Sequence, residues 1–226
     1  MQYTGMMIGG LYRVCEWVMR LAYVNLLWIG FTLVGFVVFG FFPSTAAMFA
    51  VVRKWVMGEC DTPIFPTFYQ AYKKEFLKMN LLGVSLVVVG YILFIDYQFF
   101  QAMQSYYLQL FSYVFLALLL VFGVIHLYVF PVYVHYDLKP FQVVKNALLV
   151  AIASPISTGV MLVGSVIVLW ITILYFSVLF FFSGSALTFI VMWSAYRSFT
   201  KVENHLDNVI LDQRNEKLVK VGGNNV

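Results

Sequence analysis

An all-α, polytopic transmembrane helical bundle is the fold class this sequence predicts, on three observations. Of its 226 residues, 62% are hydrophobic and 11% charged, whereas a soluble domain is about a quarter charged. Four stretches, 21–52, 76–95, 97–134 and 146–196, hold no Asp, Glu, Lys or Arg except Lys78. Each can cross a hydrocarbon core of about 30 Å at about 1.5 Å per residue. The runs are continuously apolar rather than alternating, which selects helices over barrel strands.

Basic residues set the order of the spans, because Lys and Arg mark the cytoplasmic face. They fall at 13–20, 53–78, 139–145 and 197–220, while the connectors FFQAMQSYYLQL and FFSGSA carry no charge. If 21–52 crossed once, the clusters at 13–20 and 53–78 would lie on opposite faces. Two crossings keep both inside, with Pro43 opening a short return helix over about 43–57. That helix either relies on Arg53 and Lys54 snorkelling to the interface or sits inside the bundle. Spans at 80–98, 108–134, 156–176 and 181–197 follow. The expectation is six spans, or five if the short helix is left out, with both termini cytoplasmic in a plasma membrane. Residues 1–198 form the membrane domain, and 199–226 a cytoplasmic helix with an unstructured tail. The N-terminal apolar run is too long for a cleavable signal peptide.

A weak repeat accompanies this count. NLLWIGFTLVGFVVF from Asn25 aligns without a gap on NLLGVSLVVVGYILF from Asn80, and NALLVAI from Asn146 is a fainter echo. Three hairpins in parallel orientation are implied.

Between the second and third spans, Thr67 and Gln70 fit a capping box. Phe68, Tyr72, Phe76 and Met79 fall at helical spacing opposite Lys73, Lys74 and Lys78. The reading is an interfacial helix that anchors to anionic lipids or docks a partner. DLKPFQVVKNALL forms an elbow helix opened by Pro140. Phe199, Val202, Leu206 and Val209 make an apolar stripe on the cytoplasmic continuation of the last span, another surface for membrane or partner. Ala46, Ala47 and Ala50 would let a neighbouring helix approach closely, and Asn25 and Asn80 would bond between helices.

Chemistry is sparse. Asp96 lies at the outer interface, where a carboxylate is cheap. His126, in the inner half of the fourth span, reads first as a hydrogen-bonded interior histidine. With Asn25 and Asn80 it could instead line a polar path. His126, His135 and His205 show no metal-ligand spacing, and no phosphate loop or nucleophile elbow occurs. No cofactor, metal or catalytic residue is expected. The net charge of +4 points to orientation and anionic lipid rather than nucleic acid. Cys15 and Cys60 fall near the cytoplasm, where thiols stay reduced.

FGFFPSTAAMFAVVRKWVMGE at 39–59 and PIFPTFYQAYKKEFLKMN at 63–80 resemble the YesL-like family of small membrane proteins from Gram-positive bacteria, most closely at Thr45-Ala46-Ala47. The family's activity is undefined, so the resemblance supplies no catalytic residues. It implies a setting beside carbohydrate ABC importers, and hence an accessory, regulatory or assembly subunit bound to the importer's permeases. The chain is no permease itself, for it lacks the cytoplasmic Glu-Ala-Ala loop that docks the ATPase. A transporter or channel in its own right is the alternative, and a membrane-embedded enzyme is the least favoured class.

Overall fold

The computed structural model describes the backbone of residues 2–136 and 138–223 and the side chains at 12–136, 138–139, 141–175 and 181–204. The described residues form seven helices and no strand. These are α1 (Gln2–Val34), α2 (Val38–Val56), α3 (Ile64–Gln101), α4 (Tyr106–His135), α5 (Pro140–Ala153), α6 (Pro155–Leu174) and α7 (Phe176–Gly223). Consecutive helices pair as hairpins, α1 with α2, α3 with α4 and α6 with α7, while α5 is the elbow between α4 and α6. Among the described residues, four helical stretches are long and apolar enough to cross a membrane: Tyr12–Val34, Ile64–Gln101, Tyr106–His135 and Pro155–Leu174.

The short helix α2 is the centre of the bundle, packed by α1, α3, α4 and α7. From Phe42 to Val52 every residue except Thr45 and Ala50 is buried. Its sequence explains this position. Small residues such as Ser44, Ala46 and Ala47 admit neighbouring helices closely, which lipid-facing surface does not need. Pro43 does not open α2 as expected; it lies inside the helix, past its first turn. A proline there cannot bond the carbonyl four residues earlier, which is that of Phe39. Asn80 takes over that partner, donating from Nδ2 to the Phe39 carbonyl at 2.9 Å. Asn80 thus joins α3 to α2 in the bonding role expected of it.

The turn from α1 to α2 is tight. Phe36 and Val37 both have positive φ, 55° and 63°, and the Val38 amide donates to the Phe36 carbonyl at 2.7 Å. That closes a γ-turn of the rare positive-φ kind on a β-branched residue, a strained geometry. Gly35 and Gly40 make it possible. A Cβ on Gly35 would meet Gly40 Cα at 2.3 Å, and one on Gly40 would meet the Thr32 carbonyl oxygen at 2.4 Å.

Two further expectations are corrected. The helix predicted to lie in the interface over 67–79 is the first half of the continuous α3. It begins at Ile64 after Pro63 with no side-chain cap, so Thr67 and Gln70 form no capping box. Its aromatics face the protein rather than lipid: Phe68 is fully buried, and both Phe68 and Tyr72 pack on Phe31 of α1. Helical spacing groups an apolar face but cannot say whether protein or lipid covers it.

The α1–α2 turn reaches only the middle of α3, where Asn80 meets Phe39 and the Phe42 ring lies against Gly83. Some 20 residues of α3 run on beyond, about 30 Å of helix, and return as the first half of α4. Between residues 87 and 121 Ser112 is the only buried residue. Phe100 seals this arm internally against Phe111 and Phe115.

Candidate functional site

Two cavities border α2, on neighbouring faces of the helix. Thr45, Met48 and Phe49 face the first, a space of about 330 Å³ completed by Trp28 of α1, His126 and Phe130 of α4, Thr172 of α6 and Gly184 to Val191 of α7. Its wall is mostly apolar, and two of its polar side chains bond to each other. Trp28 Nε1 donates to Thr45 Oγ1 at 3.0 Å, and the Thr45 hydroxyl donates to the Phe41 carbonyl at 2.7 Å. His126 sits between the rings of Phe122 and Phe130. Its Nδ1 is buried without a hydrogen-bond partner, as is Thr172 Oγ1, so at Nδ1 it departs from the hydrogen-bonded histidine expected.

The predicted path of Asn25, Asn80 and His126 does not form. Asn25 accepts from the Ser185 amide at 3.1 Å and ties α1 to α7. Asn80, on α3, is turned to the Phe39 carbonyl of α2, so only His126 reaches the cavity.

Ala46, Ala50 and Arg53 share the neighbouring face of α2, the i, i+4, i+7 spacing of a helical stripe. They form one wall of a cleft of about 390 Å³, with Ala71, Lys74 and Glu75 of α3 and Tyr133, Val134 and His135 of α4 opposite. Ala47, the third small residue predicted for close packing, is instead fully buried in the core. Glu75 is the best-partnered group of the cleft. It accepts from the Tyr133 hydroxyl, and Lys74 and Lys78 lie 3.5 and 3.9 Å from its oxygens. Arg53 contrasts with it. Among the described residues no carboxylate lies within 4.0 Å of Arg53, and its Nε is buried without a partner.

Below the cleft, Glu203 of α7 gathers the end of α4. Its carboxylate is 3.7 Å from His135 Nε2 and accepts from the Tyr136 hydroxyl at 2.9 Å. Burial, with the bond and the charge of Glu203, pushes the Tyr136 phenol well above its ordinary pKa, so it stays a donor. Phe199 is fully buried here, its ring 4.7 Å from that of His135. It is therefore no free docking residue, contrary to expectation. Val202 is half-buried; Leu206 and Val209 lie outside the described side chains. Phe76 is half-buried against Tyr72, while Lys73 and Lys74 are exposed. Asp96 lies on the arm, near the end of α3. Cys15 and Cys60 are both free thiols. No three of His, Cys, Asp and Glu converge on a metal-sized site among the described residues.

Sequence reasoning treated Arg53 as a marker of sidedness and a snorkelling residue, and did not single out Glu75, Tyr133 or Glu203. The alanine stripe leading to Arg53 was the one local signal available.

Comparison with known proteins agrees with the motifs around α2 and α3. The family described as "Protein of unknown function, DUF624" matches residues 21–97. "Uncharacterized protein YesL" of Bacillus subtilis (strain 168) is 39% identical over 92% of this chain and 94% of its own length. "Uncharacterized protein YteU" of the same organism is 39% identical over 88% of this chain and 89% of its own. "Uncharacterized protein YesV", also from that organism, is 40% identical over 85% and 93%. No solved structure matches the chain. With identity of this order across nearly the whole length of three relatives, and the family pattern lying over the buried helix α2, the chain belongs to the YesL-like DUF624 family of membrane proteins.

Proposed function

We propose that this protein is a non-enzymatic accessory subunit of a carbohydrate ABC importer, holding or regulating the importer's membrane-spanning permeases through the α3–α4 arm. The observation that carries the docking is the bareness of that arm, where Ser112 alone is buried between residues 87 and 121. Lipid covers such a surface by default, but two helices that pack only on each other also leave room for further helices. The importer as partner rests on the resemblance to the family and its setting beside such importers. The docking surface moves from the predicted Phe68, Tyr72 and Phe199, which are buried, to exposed residues such as Tyr91, Phe99, Tyr113 and Leu120.

The topology we favour is a plasma-membrane one with both termini cytoplasmic. Each hairpin starts and ends near a basic segment, so an even number of crossings follows. For α1–α2 we favour a hairpin whose tip stays within hydrocarbon, since residues 33–42 are wholly apolar apart from glycine and Phe36 is 84% exposed. Six full crossings would instead put that tip in water. Failure of a membrane-impermeant thiol reagent to label Phe36→Cys from either face supports the buried tip, and labelling from outside supports six crossings.

Affinity purification from native membranes in mild detergent tests the assignment. Recovery of permease subunits, lost when Tyr91, Tyr113 and Leu120 are changed to Ser, is the expected result. A lone, monodisperse protein at full yield overturns it. The second reading, a small-solute path, draws on the cavity beside His126 and its unpartnered Nδ1. Liposome uptake that falls in His126→Leu would favour it.

A further inference from the structure

We infer that the cleft beside Arg53 binds a phosphate-bearing anion, the headgroup of an anionic phospholipid of the cytoplasmic leaflet. This site is independent of the importer assignment and of the arm.

Three observations converge on it. Arg53 reaches the cleft from the most buried helix, half-buried, with no carboxylate within 4.0 Å among the described residues and with its Nε unpartnered. A partly desolvated guanidinium without an acceptor is costly, and a phosphate matches its planar fork of donors. The space is real: Ala46, Ala50 and Ala71 present only methyl groups, leaving about 390 Å³. The field has the right sign, since Arg53 and Lys74 line the cleft while Glu75, the carboxylate in its wall, is already engaged by Tyr133, Lys74 and Lys78.

Position favours a lipid as the source of the phosphate. Arg53, Lys74 and Lys78 belong to the basic segment that marks the cytoplasmic end of the spans, where anionic headgroups concentrate. Val134 and Leu138 add apolar wall for the glycerol and first methylenes.

The test uses the purified full-length chain, delipidated in detergent and studied by native mass spectrometry with phosphatidylglycerol, phosphatidylcholine or inorganic phosphate added. The wild type should retain phosphatidylglycerol over phosphatidylcholine. Arg53→Gln should lower retention about tenfold, the scale of one lost charge-assisted contact. Ala50→Leu, which fills the cleft and leaves every charge in place, should do the same. Arg13→Gln, at an exposed position elsewhere, should not. Arg53→Lys should keep part of the binding, which separates loss of charge from loss of fold. Phosphate binding that needs Arg53, with no preference for phosphatidylglycerol, would keep the site and overturn its lipid source. Equal retention in wild type, Arg53→Gln and Ala50→Leu, with phosphate indifferent to all three, overturns the proposal.

Discussion

From residue 42 to 52, α2 buries every residue but Thr45 and Ala50, while from 87 to 121 the arm buries only Ser112. Both segments are apolar, so hydrophobicity does not separate them. In a bilayer, lipid is as apolar as a leucine side chain, and burial is decided by close packing and by polar groups that need partners. α2 has both, in its run of small residues and in a Phe39 carbonyl freed by Pro43 and claimed by Asn80. The arm has neither, and its bulky Leu, Phe, Tyr and Val side chains point outward. The same chain thus builds a rigid centre and an unpacked projection out of similar hydropathy.

If packing of small residues holds the centre, the largest loss should come from Gly40→Leu. Its Cβ would meet the Thr32 backbone at 2.4 Å, and the α1–α2 hairpin cannot open without displacing α2. A cost of at least about 3 kcal/mol is expected, the upper range for overpacking, read as loss of monodisperse protein on size-exclusion chromatography. Next in size is Asn80→Leu, at about 1 to 2 kcal/mol for the loss of its bond to the Phe39 carbonyl, read as a lower melting temperature in detergent. Adding Pro43→Ala should recover more than half of that loss, because residue 43 then supplies an N–H to Phe39. No recovery would show that Asn80 acts through another contact. Trp28→Phe, which leaves Thr45 without its indole donor, should cost about 0.5 to 1 kcal/mol by the same thermal assay. Smallest of all is Leu120→Ala on the arm, expected within about 0.5 kcal/mol of wild type, as for exposed sites in general. A loss as large as that of Asn80→Leu would mean that the arm is packed after all.

The all-helical fold and the hairpin order were legible because uncharged length and basic clusters report them directly. Asn80 was legible as an interhelical bond, since an amide in an apolar run must find a partner; that its partner would be the carbonyl freed by Pro43 needed the register. Phe68, Tyr72 and Phe199 were misplaced for a physical reason. A stripe of aromatics at helical spacing looks the same whether lipid, a partner or the chain's own α1 covers it. Arg53 was hidden by its other role, because a basic residue at a span end is first a topological signal. The bareness of the arm was not legible at all, since nothing in LFSYVFLALLLVFG says which side chains meet another helix.

The most direct measurement is photocrosslinking in native membranes, with a photoreactive residue placed in turn at Tyr91, Leu120 and Trp55. A second polypeptide captured from Tyr91 and Leu120, and only intramolecular products from the buried Trp55, is the predicted result. Arm positions that crosslink to lipid alone, while the protein is at its native level, would contradict a docking role for the arm.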